Sequence, residues 1–311
     1  MDARAFRSAL DAGERIVLDG GLATQLEAQG ADLSDTLWSA RLLVEDPAAI
    51  LDAHLAYYRA GARVATTASY QATFEGFARR GIGREEAERL LRRSVELAAE
   101  ARDRLAAEAP GGPPRFVAAS IGPYGAMLAD GSEYRGRYGR SVAELRDFHR
   151  DRLRVLASTD ADVLAVETIP EVEEAAAVAE LLTETPGATA WVSFACADGQ
   201  RIRSGAAIED AVAAIATTAA VLAVGVNCTA SEHVPELVAR IAAVTTLPVV
   251  VYPNSGEAWD AAGRRWTGDA GAGVDGEAAR AWIAGGARLV GGCCRVTPDQ
   301  IASIAGAVTP Q

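Results

Sequence analysis

Three cysteines of this 311-residue chain follow short apolar runs. Cys293 and Cys294 are adjacent and come after Gly291 and Gly292, whereas Cys228 ends the run that begins at Val224. Adjacent thiols cannot close an ordinary disulfide without straining its preferred dihedral angle and Cα spacing. We therefore do not expect a structural bridge between these neighbours, and the pair needs another explanation.

A metal site is the explanation that uses all three thiols, which we call the cysteine triad. Zinc held by three protein ligands keeps a fourth position for water or substrate, whereas structural zinc usually takes four ligands, often from Cys-x-x-Cys pairs. The sequence contains no such pair. Three thiolates form a soft ligand set that could hold another thiolate as a nucleophile. The triad predicts thiol alkylation, and the alternative is two buried, apolar cysteines that happen to be adjacent.

Two carboxylates occupy comparable positions in the chain. Asp19 ends the first apolar run and Glu167 lies near the end of the fourth. Core packing does not require a carboxylate at a strand end, so this acid pair is predicted to be functional. Gly20 and Gly21 would let backbone amides approach a ligand closely, although a tight turn explains them equally well.

Eight apolar runs alternate with helical patterns along the chain. The predicted strands are residues 15–21, 63–67, 116–120, 162–170, 190–194, 224–228, 248–252 and 287–290. The predicted helices are residues 48–60, 84–108, 141–158, 171–184, 207–218, 232–244, 275–284 and one from 297 onward. Short connections favour parallel pairing, so we expect an α/β fold, a single-domain (β/α)8 TIM-type barrel over residues 1–311. The carboxyl ends of its strands meet at one mouth, which would bring the cysteine triad and the acid pair together.

Composition narrows the class of protein. Half of the residues are hydrophobic and 23% are charged, which suits one large core. The net charge of −12 repels phosphate backbones and anionic lipid surfaces, so neither nucleic acid nor a membrane is an expected partner. Four cysteines are too few for a disulfide framework and no signal peptide opens the sequence, which predicts a cytoplasmic protein.

The remaining polar residues are interpreted from their local context. His54 lies in a predicted helix and is expected to be packed or solvated rather than a ligand. His149 is expected to be structural, and His233 to be exposed. Cys196 is expected to be a buried thiol without a ligand role. Residues 69–71 form a polar strand end that could face substrate or only cap the next element, and residues 130–140 lack apolar periodicity and predict a surface excursion or a lid.

From Asp19 to Pro298 the chain resembles the homocysteine S-methyltransferase family. Six segments are similar to that family's sequence blocks and occur in the same order. They are DGGLAT at 19–24, SIGPYG at 120–125, ETIP at 167–170, VNCT at 226–229, YPNSG at 252–256 and GGCCR at 291–295.

The resemblance implies a role for each candidate residue. It implies that the cysteine triad binds zinc and that the acid pair holds the amino group of homocysteine. Backbone around Gly20 and Gly21 would lie near the homocysteine carboxylate, and Asn254 and Arg295 join the candidate substrate-binding residues.

The implied mechanism uses the homocysteine thiol as the fourth zinc ligand. The thiol loses its proton and attacks a sulfonium methyl group in line, which gives methionine. The sulfonium leaves as a neutral thioether, so no strong general acid is needed. Trp259 and Tyr252 could contact the donor cation through cation–π attraction, although packing explains them as well.

Two residues bear on the methyl donor. Arg295 after the cysteine pair and Thr168 after Glu167 look like the stand-alone enzymes that use S-methylmethionine or S-adenosylmethionine. The betaine- and folate-dependent relatives usually have glycine at the first position, and the betaine branch has tyrosine at the second. At 311 residues we expect no folate or cobalamin domain. S-Methylmethionine is the predicted donor, with S-adenosylmethionine weaker or equal, and Arg295 could bind the donor carboxylate.

Other functions remain as alternatives. One is a betaine- or selenocysteine-type methyltransferase of the same family. Another takes Gly291 and Gly292 as the phosphate-binding loop that many barrels form after strands seven and eight. A third is a non-catalytic zinc-thiolate protein. The sequence leaves the oligomeric state open.

Overall fold

Eight parallel strands form the central sheet of the computed structural model, which describes residues 3–32, 39–255, 258–260, 265–267 and 273–308. The described residues contain these eight strands and two others. In chain order they are β1 Ile16–Val17, β2 Val64–Thr66, β3 Phe116–Ile121, β4 Val163–Ile169, β5 Ala190–Phe194, β6 Val221–Ala230, β7 Val249–Asn254, β8 Ala258–Asp260, β9 Arg265–Thr267 and β10 Ala287–Val290. Strands β8 and β9 pair with each other in antiparallel orientation, outside the central sheet.

The central sheet follows chain order and curves into a nearly closed barrel. Its strand order is β1-β10-β7-β6-β5-β4-β3-β2, with every pair parallel. Between the two end strands, the Arg63 amide donates to the Val17 carbonyl at 2.7 Å. The predicted (β/α)8 barrel is confirmed.

Helices connect the strands and cover the outside of the barrel. They are α1 Ala3–Asp11, α2 Leu22–Ala28, α3 Ser39–Glu45, α4 Pro47–Arg59, α5 Phe74–Ala78, α6 Arg84–Glu108, α7 Tyr124–Leu128, α8 Val142–Ala157, α9 Val172–Glu184, α10 Ile208–Ala213, α11 Val234–Val244, α12 Gly276–Ala284 and α13 Pro298–Val308. Short 3₁₀ helices occupy Ser132–Tyr134 and Ser231–His233. Within the described residues, none of these helices has the length and apolar character needed to cross a bilayer.

Local signals account for several helix boundaries. Ser141 and Glu144 form the predicted capping box at the start of α8, and Asp275 accepts the amides of Glu277 and Ala278 at the start of α12. The prediction for residues 207–218 is wrong at its C-terminal end. Helix α10 stops at Ala213, and the turn that follows carries the chain into β6.

Helix α1, which the sequence patterns did not predict, closes the amino-terminal end of the barrel. Its Phe6 side chain is fully buried, and the ring centroid lies 5.2 Å from that of Phe116 and 6.2 Å from that of Trp191. Those two residues lie near the starts of β3 and β5. This apolar packing leaves the opposite end of the barrel as the mouth.

The segment 130–140 is packed more tightly than expected. A surface excursion or a lid was predicted, but Ser132 and Glu133 are buried. The amides of Arg137 and Tyr138 donate to Glu171 Oε2 at 2.5 and 3.2 Å, just before helix α9. These bonds hold the predicted surface excursion against the βα loops, while Arg135, Arg137, Gly139 and Arg140 remain exposed.

Candidate metal centre and active site

The cysteine triad is assembled from two strand ends. Cys228 lies within β6, and Cys293 and Cys294 follow β10. The Sγ atom of Cys228 lies 2.8 Å from that of Cys293 and 3.9 Å from that of Cys294, and the third separation is 4.0 Å. The three ligand atoms thus lie close enough to share one metal ion.

Electrostatics favour a cation among these thiols. The contact with Cys293 lowers the pKa of the Cys228 thiol. The contact with Cys294 and burial outweigh this effect and hold that pKa well above its usual value. Buried thiols ionise readily when a divalent cation takes the place of their protons. A three-thiolate set therefore fits a soft or borderline metal such as zinc.

The backbone is unusual around the site. Thr168, Cys228 and Arg295 have positive φ angles of 64°, 46° and 67°. Side chains other than glycine rarely adopt this conformation, and such residues concentrate at functional sites. The positive φ angles change the direction of the chain near the ends of β4 and β6 and in the segment after β10. A regular extended backbone could not make these changes.

The glycines before the cysteine pair serve packing. The Gly291 amide donates to the Val251 carbonyl and the Gly292 amide to the Asp19 carbonyl, each at 3.0 Å. A side chain at Gly292 would collide with Val296. Because both amides have protein acceptors, neither glycine offers a free N–H group to a phosphate.

Asp19 is fixed by the end of the neighbouring strand. Its two carboxylate oxygens accept the amide and the hydroxyl of Thr66, at 2.6 and 2.9 Å. Burial raises the pKa of Asp19 to about 8, despite these bonds. The nearby charge of Glu167 also raises it.

Glu167 lies across the mouth on β4. The Ser120 hydroxyl donates to its Oε1 atom. Burial raises its pKa to about 7, and hydrogen bonds from Ser120 and Tyr252 lower it. Two enclosed carboxylates with raised pKa values would both be stabilised as anions by a cationic guest.

A polar network centred on Asn227 lies beside the thiols. Asn227 Oδ1 accepts the Thr168 amide at 2.7 Å and the Ser193 hydroxyl at 2.8 Å, and Asn227 Nδ2 donates to Thr168 Oγ1 at 2.7 Å. The same nitrogen lies 4.0 Å from Cys293 Sγ. Sequence reasoning missed Asn227 as a supporting residue, although it precedes Cys228 within the VNCT block.

The glycines after Asp19 allow close packing of the loop. The Gly21 amide donates to the Val296 carbonyl at 3.0 Å, and the Tyr57 hydroxyl donates to both carbonyls, Gly21 and Val296. A side chain at Gly20 would lie 2.5 Å from the Val296 carbonyl oxygen. The Gly21 amide is thus occupied within the protein, and any amide contact to a substrate in this loop must come from its neighbours.

Asn254 and Arg295 stand at the rim. Asn254 ends β7, and its Oδ1 atom is buried without a hydrogen-bond partner in the described part of the chain. The Arg295 amide donates to Thr24 Oγ1 at 2.9 Å. Burial raises the pKa of Glu27 in helix α2, and the nearby charge of Arg295 lowers it. Their substrate contacts stay predictions.

The remaining candidates lie elsewhere. Cys196 is buried and lies outside the metal-binding group. His54 and His149 are fully buried, and the side chain of His233 is 30% exposed. The side chain of Trp259 and residue Gly256 lie outside the described residues.

Comparison with known proteins decides the family. A sequence model of the family described as homocysteine S-methyltransferase matches residues 16–308. The chain belongs to the homocysteine S-methyltransferase family. A relative named homocysteine S-methyltransferase YbgG, from Bacillus subtilis, is 49% identical over 299 residues, which cover 95% of both chains. The homocysteine S-methyltransferase of Escherichia coli is 48% identical over 301 residues, or 96% of this chain and 97% of the relative.

The family likeness extends to structure. The metallated form of the Escherichia coli homocysteine methyltransferase MmuM superposes with a TM-score of 0.88 at 46% identity, covering 96% of this chain and 98% of that one. A family member therefore has the same barrel and has been solved with metal.

Proposed function

We propose that this protein transfers a methyl group from a sulfonium donor to the thiol of L-homocysteine and so forms methionine. The observation that carries the proposal is the placement of three clustered thiols beside two buried carboxylates at one barrel mouth. Membership of the homocysteine S-methyltransferase family supports the same chemistry.

We assign zinc to the cysteine triad, with Cys228, Cys293 and Cys294 as its ligands. Zinc bound by three thiolates would lower the pKa of an incoming thiol and keep it nucleophilic near neutral pH. The chain contributes the ligand positions, since the strand ends that carry them are fixed by backbone bonds such as that from Cys293 N to the Pro253 carbonyl, 2.8 Å.

The acid pair is the proposed site for the homocysteine ammonium group. Thr66 and Ser120 hold the two carboxylates in place, and neither donor brings a charge. An ammonium group would supply charge-assisted hydrogen bonds to Asp19 and Glu167. With the amine held there, the thiol end of the substrate can reach the cysteine triad in a favourable orientation.

The chain needs no acid for the leaving group. A sulfonium becomes a neutral thioether when its methyl group is transferred, so no proton has to be supplied. The ring nitrogens of His149 form hydrogen bonds with Glu174 and Arg152, at 2.8 and 2.9 Å. His54 is enclosed in the packing of helix α4.

S-Methylmethionine is the proposed methyl donor. S-Adenosylmethionine is proposed as an alternative donor that supports an equal or lower rate. Support comes from Arg295 and Thr168, which follow the stand-alone branch of the family, and Arg295 could bind the donor carboxylate. We also propose that residues 1–311 form one domain and that the protein works in the cytoplasm, where four free thiols remain reduced.

A donor panel tests the proposal. Purified protein is incubated with homocysteine and, separately, S-methylmethionine, S-adenosylmethionine, betaine or methyltetrahydrofolate, and methionine is measured. We expect product with S-methylmethionine, product at an equal or lower rate with S-adenosylmethionine, and none with the other two. Turnover with betaine alone would overturn the donor assignment, and the absence of product with all four would overturn the function.

A further inference from the structure

A buried polar cluster lies between helices α8 and α9, and the methyl-transfer chemistry does not use it. Arg152 and His149 of α8 and Glu174 of α9 each have at most 1% of their surface exposed. Arg152 Nη2 lies 2.9 Å from His149 Nδ1, and His149 Nε2 lies 2.8 Å from Glu174 Oε1. We call these three side chains the buried clamp. Charged groups are costly to bury, so the clamp needs an explanation.

The order of hydrogen bonds within the clamp follows from the chemistry of its groups. A guanidinium group only donates, so His149 Nδ1 must accept from Arg152. The ring proton then lies on Nε2, which donates it to Glu174. Burial and the charge of Arg152 hold the pKa of His149 well below its usual value, which keeps the ring neutral. Burial lowers the pKa of Arg152 to about 10, so the guanidinium group stays charged near neutral pH.

Arg152 connects the turns that follow two neighbouring strands. Its Nη1 atom donates to the Tyr70 carbonyl after β2 at 3.3 Å, and its Nη2 atom donates to the Gly122 carbonyl after β3 at 2.6 Å. The Gly122 amide also donates to the Tyr70 carbonyl, at 3.2 Å. A side chain at Gly122 would lie 2.5 Å from the Tyr70 carbonyl oxygen, so this close approach requires glycine. One guanidinium group therefore holds the two turns together.

Glu174 fixes the turn after β3 at a second point. Its Oε1 atom accepts the Tyr124 amide at 2.6 Å, at the first residue of helix α7. Gly122 and Tyr124 both belong to the SIGPYG segment. Helices α8 and α9 thus hold the backbone of this segment through one donor and one acceptor of the clamp.

The two turns begin beside the residues that hold the acid pair. Thr66, at the end of β2, donates to Asp19. Ser120, near the end of β3, donates to Glu167. The two strand ends are also joined directly, because Ser69 Oγ donates to the Ser120 carbonyl at 2.8 Å. The distance between the two carboxylates therefore depends on how these strand ends are held.

We propose that Arg152 is a positioning residue for homocysteine recognition. By holding the turns after β2 and β3 together, it sets the spacing of the two carboxylates that receive the ammonium group. The inference rests on the proposed role of the acid pair. Charge-assisted hydrogen bonds depend on geometry, so a small displacement of either acid weakens the binding of one shared ammonium group. The cysteine triad lies on β6 and after β10, outside the segments that Arg152 holds, and should keep its zinc without the clamp.

Calorimetric titration with homocysteine tests the inference on the zinc-loaded protein, with Arg152→Gln beside the wild type. We expect the homocysteine Kd to rise at least about tenfold and the zinc content to stay the same. In the methyl-transfer assay the homocysteine KM should rise with it, while kcat and the S-methylmethionine KM stay within about threefold. A homocysteine Kd within about twofold of the wild type, or an equal rise in the KM of both substrates, would overturn the proposal.

Two further variants separate positioning from packing. Arg146→Gln is the matched control, because Arg146 also joins α8 to α9, through Glu180 at 3.2 Å, but at a partly exposed position. Its homocysteine Kd should equal that of the wild type. Arg152→Lys keeps the charge but lacks the planar fork that binds both carbonyls, so we expect an intermediate rise in Kd. If Arg152→Gln fails to fold, Arg152→Lys replaces it, and an unchanged Kd in that variant would count against the proposal.

Nitrogen NMR of the wild-type histidine rings needs no variant. His149 should be neutral with its proton on Nε2, and a charged ring or a proton on Nδ1 would refute the clamp. Homocysteine binding that is tight in the wild type and weak in Arg152→Gln, without methionine formation by either, would refute the proposed function and support this inference. A wild type that does not bind homocysteine would refute both.

Discussion

Cys228 Sγ and Cys294 Sγ lie 3.9 Å apart, although the two residues are 66 positions apart in sequence. Tetrahedral zinc with Zn–S bonds of about 2.3 Å separates its sulfur ligands by about 3.8 Å. The 4.0 Å between Cys293 and Cys294 agrees equally well. The 2.8 Å between Cys228 and Cys293 would have to open by about 1 Å around such an ion.

This geometry predicts the metal content of cysteine variants. Purified wild type should hold about one zinc ion per chain, and Cys228→Ser, Cys293→Ser and Cys294→Ser should each lose both metal and activity. Elemental analysis beside a methionine assay measures both. Cys196→Ser is the matched control and should keep metal and rate, since Cys196 lies outside the triad. Full zinc occupancy in all three triad variants would refute the site.

The acid pair should control homocysteine affinity. Glu167→Gln and Asp19→Asn remove the charges proposed to hold the ammonium group, so the homocysteine KM should rise roughly tenfold or more, with zinc retained. Part of the lost rate should return at excess homocysteine. Steady-state kinetics with a saturating donor decides it, because wild-type KM with a lower kcat would show that these acids serve the chemical step instead.

His54 should make the protein sensitive to acid. Burial lowers its pKa from 6.5 to about 4, and neither ring nitrogen has a hydrogen-bond partner in the described structure. The unfolded chain takes up the proton first as pH falls, so folding stability is lost between about pH 6.5 and pH 4. This loss should amount to roughly 2 kcal/mol between pH 7 and pH 4.5.

Denaturant unfolding of His54→Leu at the two pH values measures the effect. The variant should lose less stability than the wild type by that amount. His233→Gln, at a partly exposed position, should lose as much as the wild type. Parallel losses in all three proteins would show that His54 does not set the acid response.

Gly225 should be indispensable for the barrel. A Cβ atom there would collide with the Val250 carbonyl, so β6 and β7 could not keep their spacing. Gly225→Ala should cost more than about 4 kcal/mol or prevent folding. In helix α13 an added Cβ at Gly306 would meet no atom within 4 Å, and Gly306→Ala should be neutral or stabilising by about 0.5–1 kcal/mol. Thermal unfolding of the two variants compares them, and a Gly225→Ala protein as stable as wild type would contradict the structure.

The sequence predicted the parts of the molecule that depend on regular patterns. Helix α6 was predicted with its observed bounds, because 25 residues of amphipathic spacing end at a Pro-Gly stretch. The clustering of the cysteine triad followed from barrel geometry, in which strand carboxyl ends share one mouth. Helix α1 was missed because its reason for folding, the burial of Phe6 under the barrel, is visible only once the strands are closed.

Supporting contacts were harder to predict. Thr66 and Ser120 look like ordinary strand residues, and their bonds to Asp19 and Glu167 depend on strand register. Glu133 lies in a polar segment that suggested exposure. Its burial results from packing against Gly125 and from the distant Glu171, which no local pattern announces.

Zinc-edge X-ray absorption tests the central claim most directly, namely that the cysteine triad holds a metal at which the homocysteine thiol binds. Without substrate we predict three sulfur ligands and one lighter atom, and with homocysteine we predict four sulfur ligands. Cys196→Ser should give the same pair of spectra. A sulfur count that stays at three when homocysteine is bound, or a metal with fewer than three sulfur ligands in the free protein, would contradict the account.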